Sequence, residues 1–282
     1  MIATISADIV RSTSLATGDL INLRKRLRGL LDDFEKDYGG FWARIVRGDS
    51  IECFVPEYGY ALRIAILIKL FVKMQVSGVD CDEELQKYGI RFSIGVGDIK
   101  YADKHEDIID GEAIYMSGRN LDVISGKGNV FTAFQIEDTP ESFCNLLDSY
   151  VALLSNIVDS YSAKQAEVVF YKLLGFREIE ISEKLGIYQS SVNVRATNAQ
   201  WGLLNKAIKD FEDFDLEKVC GENCFCVFCW HTLWLTLGCR HRLPAKVKRR
   251  SIGAAFISIY MQASYSLCPG LCPLTCGFGG AH

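Results

Sequence analysis

Residues 41–55 read FWARIVRGDSIECFV, and two short apolar runs in this stretch flank Gly48 and Asp49. A Gly-Asp pair between runs rich in aromatic and β-branched residues predicts a β-hairpin, with strands over Phe41 to Val46 and Ser50 to Val55. The elements before and after this hairpin follow one order, and that order decides the fold prediction.

Before the hairpin, the alternating residues Ile2 to Ala7 predict a strand, and apolar residues at helical steps from Asp19 predict an amphipathic helix that ends at Gly39-Gly40. After it, the patterns predict a helix from about Tyr58 to Met74, a strand from Ile90 to Val96, a helix from Gly111 to Asp122 and a strand from Val130 to Ile136. The sequence therefore predicts an α+β, ferredoxin-like domain over residues 1–138, with a mainly antiparallel sheet and helices on one face.

The chain has 282 residues, of which 49% are hydrophobic and 23% charged, enough to bury the core of one or two globular domains. A formal net charge of −4 gives no overall attraction for nucleic acid, so contact with DNA has to come from a local basic surface. The first residues, MIATISAD, reach an acidic residue before a signal-length apolar core, which favours a cytoplasmic location. Three of the eleven cysteines precede residue 220, as in a reduced intracellular protein.

Two carboxylates stand at the ends of neighbouring predicted strands, Asp8 after the first strand and Asp49 at the tip of the hairpin. Two carboxylates and a carbonyl oxygen suit a hard cation, Mg²⁺ or Mn²⁺, that also holds a triphosphate. The alternative is that Asp8 caps the next segment and Asp49 only makes the turn, because Asp favours both places.

Several segments across residues 2–135 resemble those of class III nucleotidyl cyclases, in the same order: Ala7-Asp8-Ile9-Val10-Arg11-Ser12-Thr13, Gly39-Gly40, Gly48-Asp49, Arg91-Phe92-Ser93-Ile94-Gly95-Val96-Gly97-Asp98 and Gly111-Glu112-Ala113-Ile114. The resemblance implies a head-to-tail homodimer with active sites at its interface. It implies that Asp8 and Asp49 bind the metal and that Arg119, from the other subunit, steadies the transferring phosphate. The positions that it assigns to nucleotide binding are Ile9, Arg44 and Tyr115.

The sequence departs from the cyclase pattern where that family contacts the transition state and the base. Tyr115 stands where cyclases keep an Asn, and a phenol does not replace the contacts of an amide. By counting, the purine-selecting Lys falls on either Arg44 or Ile45, and its Asp partner falls on Ile108. These departures favour binding over cyclisation of ATP or GTP and leave a pyrimidine triphosphate open as a substrate.

The same segments resemble more closely those of the SatD family of small bacterial proteins. Its acidic-Ile pair, Gly-Asp hairpin, Arg-x-x-Ile-Gly-x-Gly strand and Asp-Gly-x-Ala helix start are here Asp8-Ile9, Gly48-Asp49, Arg91 to Gly97 and Asp110 to Ala113. That family has no firmly established biochemical activity. The resemblance therefore implies the fold, with a degenerate nucleotide-binding or dimerising role.

Residues 139–161 predict a long linker helix, and residues 162–215 predict three shorter helices, with Gly175 and Gly186 where the first two end. The stretch Gly186-Ile-Tyr-Gln-Ser-Ser-Val192 resembles the turn and recognition-helix start of sigma-factor region four and of response-regulator output domains. The resemblance implies a helix-turn-helix domain that binds DNA. The alternative is a helix-turn-helix used for protein contacts, because one fold serves many functions.

In a helix-turn-helix, the first residues of the last helix enter the major groove. The candidate contacts to bases or phosphates are Gln189, Ser190, Ser191, Asn193, Arg195 and Lys206. Residues 162–210 hold seven Lys or Arg against five Asp or Glu, a small excess that predicts weak binding by one copy. We therefore expect a homodimer.

Residues 216–282 differ from the rest of the chain, with eight cysteines, two apolar runs and a basic stretch from Arg240 to Arg250. Three interpretations stay open: a poorly ordered extension from a shifted reading frame, a short membrane hairpin, and a zinc site at the cysteines. The missing helical periodicity favours the first interpretation, which involves no membrane, and the membrane hairpin comes next.

The sequence thus favours a cytoplasmic DNA-binding transcriptional regulator whose cyclase-like domain senses a nucleotide or dimerises. One alternative is a metal-dependent nucleotidyl cyclase that uses Asp8, Asp49 and Arg119. The other is a scaffold that binds neither nucleotide nor DNA.

Overall fold

The computed structural model describes residues 1–46, 48–126 and 132–216, all of which belong to one compact unit. The N-terminal elements are β1 (Ile2–Ile9), α1 (Thr17–Asp37), β2 (Trp42–Val46), β3 (Ser50–Val55), α2 (Ala61–Gln75), α3 (Glu83–Tyr88), β4 (Ile90–Gly97), β5 (Ile99–Asp103), β6 (Ile108–Gly111), α4 (Glu112–Gly126) and β7 (Thr132–Ile136). The helices that follow are α5 (Glu141–Asp159), α6 (Ala163–Leu173), α7 (Glu178–Leu185), α8 (Gln189–Asn198) and α9 (Trp201–Glu212).

The main sheet has five strands in the order β2-β3-β1-β4-β7. The β1–β3, β1–β4 and β2–β3 pairs are antiparallel, and the β4–β7 pair is parallel. The hairpin lies where the sequence predicts it, with Val46 opposite Ser50 across the turn. The predicted α+β architecture and the mainly antiparallel sheet are confirmed.

Helices cover both faces of the sheet, so the prediction of helices on one face was wrong. Successive residues of a strand point to opposite faces. Ile5 and the alternate residues of β1 on the same face belong to the apolar core, together with residues of α1 and α2. The hydroxyls of Thr4 and Ser6 point the other way and lie 3.0 and 2.9 Å from the Ser117 hydroxyl on α4. The small polar residues of β1 are therefore buried under α4.

A glycine lets α4 lie close to the sheet. A Cβ atom at Gly95 on β4 would stand 2.2 Å from the carbonyl oxygen of Ala113 and 2.9 Å from the amide nitrogen of Ser117. Real Cβ atoms do not approach backbone atoms so closely. The backbone of α4 therefore rests directly on β4 at this position.

The structure differs from the predicted elements in two other places, where a hairpin forms although no strand was predicted and where one predicted helix is divided. The charged segment from Asp103 to Asp110 is the end of a second hairpin, β5–β6, in which the Asp103 carboxylate accepts hydrogen bonds from the backbone of His105 and Glu106. The last predicted helix is two helices, α8 and α9, because Gln200 adopts a left-handed conformation (φ 52°) between them. The predicted helix ends at Gly175 and Gly186 are confirmed by φ values of 88° and 62°.

The helices after the sheet share its apolar core. Val151, Leu154 and Val158 of α5 belong to the same buried cluster as the sheet. The rings of Phe71 on α2 and Phe170 on α6 are 5.9 Å apart. The proposed division at residues 138, 161 and 215 thus remains a prediction about sequence segments, and the described parts of the first three segments pack against one another.

No helix in the described part of the chain is long and apolar enough to cross a membrane. The three interpretations of the C-terminal segment concern residues that, from 217 onward, lie outside the described ranges.

Candidate functional site

Asp8 and Asp49 lie side by side where the neighbouring strands β1 and β3 end. Asp8 is opposite Ser50 in the β1–β3 ladder, and the backbone nitrogen of Ile9 donates a hydrogen bond to the backbone oxygen of Asp49 (3.2 Å). Burial raises the pKa of the Asp8 carboxyl to about 6, and the charge of Asp49 adds to that rise, against the opposing effects of Arg91 and Ser50. The fold therefore brings together the two carboxylates that the sequence singled out.

Two further polar residues contact this carboxylate pair, and the sequence analysis did not single them out. The Ser12 hydroxyl donates to Oδ2 of Asp49 over 2.6 Å. Arg91 is opposite Asp8 in the β1–β4 ladder, with its Nε 3.4 Å from Oδ2 of Asp8. The sequence held a signal for Arg91, because this residue begins one of the segments that resemble the cyclases.

The donor set fits a divalent cation only in part. Two adjacent carboxylates, one of them destabilised by burial and by its neighbour's charge, favour a positive ion between them. Among the residues that the structure describes, no group of three or more His, Cys, Asp or Glu side chains is placed to hold a metal. A cation at Asp8 and Asp49 would need its other ligands from backbone, water or the phosphates of a bound molecule.

Arg44, one of the two counted positions for base recognition, lies on the polar face of β2. Its Nε donates to Oε2 of Glu52 over 2.7 Å, and its Nη1 is 4.0 Å from Oδ1 of Asp107. Ile45, the other counted position, packs against the apolar core. Glu52 is thus the closest acidic partner of Arg44, and Asp107, one residue before the counted position Ile108, lies at the limit of an ion pair. The side chain of Ile108 is exposed.

The side chain of Ile9 is 1% exposed and belongs to the core. It can meet a nucleotide only through its backbone. The prediction that Ile9 binds nucleotide is thereby restricted to its main-chain atoms.

Tyr115 and Arg119 lie together on the exposed side of α4. The Tyr115 hydroxyl donates to Oδ1 of Asp110, and the Arg119 guanidinium is 5.5 Å from the centre of the Tyr115 ring and 3.5 Å from Oε1 of Glu112. Within the described residues, the ion pair of Arg119 is with Glu112, and Arg119 forms no hydrogen bond or ion pair with Asp8 or Asp49.

The helices α7 and α8 are joined by the three residues Gly186 to Tyr188. Val192 and Ala196 of α8 form a small buried cluster with Ile181 of α7 and Val168 of α6. This cluster fixes which side of α8 faces the protein, so the opposite side is presented to solvent.

The predicted DNA-contacting residues fall mainly on that solvent side. Gln189, Ser190 and Asn193 are exposed, and Ser191 and Arg195 are half-buried. Lys206 is on α9, where its ammonium pairs with the carboxylate of Asp210. No side chain caps the start of α8, so its first backbone N–H groups are left without a capping acceptor.

Glu178 is a further polar residue at this surface that the sequence analysis missed. Its Oε1 is 2.8 Å from Nζ of Lys172 on α6. The hydrogen bond from Lys172 lowers the pKa of the Glu178 carboxyl. An ion pair thus joins the start of α7 to α6.

The structure is similar over part of its length to two solved nucleotide cyclases. A bacterial light-regulated adenylyl cyclase matches with a TM-score of 0.35 and 17% identity, over 47% of this chain and 42% of that chain. The guanylyl cyclase Cya2 matches with a TM-score of 0.30 and 14% identity, over 42% of this chain and 67% of that chain. No protein-family model and no curated protein matches the sequence. The resemblances to the SatD family and to sigma-factor region four thus depend on the sequence motifs alone.

Proposed function

We propose that the chain is a DNA-binding transcriptional regulator in which residues 162–215 form a helix-turn-helix domain. The observation that carries the proposal is the solvent-facing start of α8, where Gln189, Ser190 and Asn193 are exposed while Val192 and Ala196 hold the helix to its neighbours. A helix held in this way, after a short turn, has the form that enters a major groove.

The chemistry of the exposed side suits base and phosphate contacts. Amides and hydroxyls both donate and accept hydrogen bonds, as base edges require. Arg195 and Lys206 supply positive charge for phosphates, although Lys206 is partly neutralised by Asp210. Because this surface carries little unpaired positive charge, we expect two copies to bind DNA together, as a homodimer on adjacent half-sites.

The cyclase-like part is proposed to dimerise or to sense a nucleotide rather than to cyclise one. Arg44 and the carboxylate pair of Asp8 and Asp49 supply groups for a base and for a phosphate-bound Mg²⁺ or Mn²⁺ ion. Against catalysis, the Tyr115 hydroxyl is engaged by Asp110 and offers no amide at the position where cyclases use one.

The DNA-binding proposal is tested by titrating a fluorescent duplex with the full chain at low and at high salt. Binding should weaken steeply as salt rises, and Arg195→Ala should weaken it further. Lys36→Ala, which removes a cation paired with Asp33 on α1, is the control and should bind as the wild type does. An absence of binding at low salt would remove the proposal.

A second candidate function is metal-dependent nucleotide cyclisation, favoured by the adjacency of Asp8 and Asp49. The full chain is incubated with Mn²⁺ and each of the four ribonucleoside triphosphates, and the products are separated by chromatography. If the wild type makes a cyclic nucleotide and Asp49→Ala does not, the cyclase-like part is a catalyst and not a sensor. If neither DNA binding nor product is found, the scaffold interpretation is what remains.

A further inference from the structure

A groove lies between α1 and α2 on one side and α6 and α7 on the other. Its volume is about 570 Å³, which falls within the range of about 300–1,000 Å³ that is usual for small-molecule sites. Neither the carboxylates of Asp8 and Asp49 nor the candidate DNA-contacting residues line it. The groove, which we call the junction groove, is therefore separate from both sites described above. Its lining includes Arg26 and Gly29 of α1, Phe71 of α2, Tyr171 of α6 and Lys184 of α7.

Aromatic rings line the junction groove. The ring of Phe170 is 5.9 Å from that of Phe71 and 5.5 Å from that of Tyr171, and the ring of Phe176 is 5.7 Å from that of Tyr171. Phe176 is 38% exposed, and Phe71 and Tyr171 are half-buried, so part of this ring surface is open to a ligand. A ligand with a planar aromatic ring makes the most favourable contacts with such a surface.

The charged residues of the groove favour an anion. Three cations, Arg26, Lys36 and Lys184, line it against two carboxylates, and Lys36 is already paired with Asp33. Within the described part of the chain, neither Arg26 nor Lys184 forms an ion pair with a carboxylate. The ammonium of Lys184 lies 5.4 Å from the centre of the Tyr171 ring and is exposed, so an anion beside that ring can reach it. A net excess of one positive charge suits a single negative charge, as on a carboxylate, better than a dianionic phosphate.

A glycine keeps the α1 wall of the groove open. Gly29 lies in the interior of α1, where glycine destabilises a helix relative to alanine. A Cβ atom at this position would meet no other atom within 4 Å. Packing within the protein therefore does not explain the glycine, whereas a ligand that occupies the space beside it does.

We propose that the junction groove binds a small aromatic carboxylate. The ring of the ligand packs against Tyr171, Phe176 and Phe71, and its carboxylate pairs with Lys184. Gly29 leaves the room that the ring needs. The inference goes beyond the proposed function and requires neither DNA nor a nucleotide.

The test titrates the full-length protein with 2-naphthoate, followed by ligand-detected NMR. Two analogues separate the contributions of charge and ring: 2-naphthamide keeps the ring without the charge, and decalin-2-carboxylate keeps the charge without the aromatic ring. We expect 2-naphthoate to bind with a dissociation constant of about 1 mM or below, as for other ligands of this size. Each analogue should bind about fivefold more weakly, because one loses an ion pair and the other an aromatic contact.

Two substitutions locate the site. Lys184→Met should weaken 2-naphthoate about fivefold and leave 2-naphthamide unchanged, whereas Lys164→Met, at an exposed position of α6 outside the groove, should bind both as the wild type does. Gly29→Leu should abolish binding, because its side chain fills the space beside the rings. Gly18→Leu is the matched control on α1, since Gly18 is also free of neighbours within 4 Å and does not line the groove. Circular dichroism melting shows whether each variant is folded.

The proposal is overturned if the wild type binds no 2-naphthoate at about ten times the expected dissociation constant. It is also overturned if folded Gly29→Leu binds as tightly as the wild type, because the ligand then lies elsewhere. Equal affinity for 2-naphthoate and 2-naphthamide would remove the preference for an anion, and with it the role of Lys184. Because no DNA is present, these outcomes do not depend on whether the chain binds DNA.

Discussion

Asp8 and Arg91 face each other across the β1–β4 ladder, with the guanidinium Nε 3.4 Å from the carboxylate Oδ2. That Nε is buried and has no hydrogen-bond partner among the described residues. The long pairing distance leaves the charge of Asp8 incompletely balanced, while Asp49 adds repulsion on the other side. The charged form of Asp8 is therefore kept in the folded protein at a cost in stability, as expected at sites that bind a charged ligand.

Replacing the Asp8 carboxylate by an amide should stabilise the metal-free protein. In the presence of EDTA at pH 7.5, Asp8→Asn should raise the free energy of unfolding by about 1 kcal/mol, after allowance for solvent screening, or about 2–4 °C in midpoint. Added Mn²⁺ should raise the midpoint of the wild type and leave that of Asp8→Asn unchanged. Both are measured by thermal melting followed by circular dichroism.

Asp33→Asn is the control for this experiment, because Asp33 pairs with Lys36 in the open at the surface of α1. Its midpoint should stay within about 1 °C of the wild type and respond to Mn²⁺ as the wild type does. If the wild type and Asp8→Asn have the same thermal midpoint in EDTA, repulsion between the two carboxylates does not destabilise the folded protein.

The elements that the sequence predicted well are those whose pattern is local. The hairpin around Gly48 and Asp49 needs only turn residues between two apolar runs, and its neighbours follow from helical and strand spacing. The glycine ends at Gly175 and Gly186 are equally local, because a left-handed residue ends a helix whatever packs on it. The adjacency of Asp8 and Asp49 followed from the order of these elements.

The elements that the sequence did not predict depend on contacts between distant residues. The helix on the second face of the sheet, α4, is held there by contacts such as those of the Thr4 and Ser6 hydroxyls with Ser117, more than a hundred residues away. Counting along the chain placed an acidic partner at Ile108, whereas the carboxylates near Arg44 are those of Glu52 and Asp107, because counting cannot locate the tip of the β5–β6 hairpin. The ion pair between Glu178 and Lys172 likewise depends on the packing of α6 and α7 and leaves no spacing pattern.

A substitution at Gly95 should separate α4 from the sheet. Gly95→Ala places a Cβ atom against the backbone of Ala113 and should destabilise the protein by at least about 2 kcal/mol, measured by urea denaturation. Gly118→Ala is the matched control on α4, where a Cβ atom meets nothing within 4 Å. There the better helix former should stabilise by about 0.5–1 kcal/mol. Equal effects of the two substitutions would contradict the close approach of α4 to β4.

The buried ion pair between Lys69 and Asp159 should hold α2 and α5 together. Lys69 is 0% exposed, with its Nζ 2.8 Å from Oδ1 of Asp159 and donating to the backbone oxygens of Tyr88 and Ile90. Lys69→Met leaves a buried carboxylate without its partner and should cost about 3–5 kcal/mol in urea denaturation. Adding Asp159→Asn to that variant should recover part of the loss, because it removes the unpaired charge. A double variant no more stable than Lys69→Met would show that the carboxylate is not the source of the cost.

Lys73 should make stability rise with pH in mildly alkaline solution. Burial lowers its pKa from 10.5 to about 8, against the opposing charge of Asp159 and with further lowering by Lys69 and Lys87. Between these two values the unfolded chain binds more protons than the folded chain at this group, so the free energy of unfolding increases with pH there. Below pH 8 the ammonium is charged in both states and the slope from Lys73 vanishes.

The contribution of Lys73 is isolated by comparing urea denaturation of the wild type and Lys73→Met between pH 7 and 9.5. The wild type should gain up to about 1 kcal/mol per pH unit over the variant above pH 8. The subtraction is needed because burial raises the pKa of the Cys53 thiol well above 9.0, which makes stability fall at the upper end of this range in both proteins. Lys164→Met, at an exposed position of α6, should follow the wild-type curve. Parallel curves for the wild type and Lys73→Met would contradict this prediction, because they would mean that the Lys73 ammonium is equally stable in the folded and unfolded chains. In that case the hydrogen bonds from Lys73 to the backbone oxygens of Lys87 and Asp159 would fully compensate the cost of burying its charge.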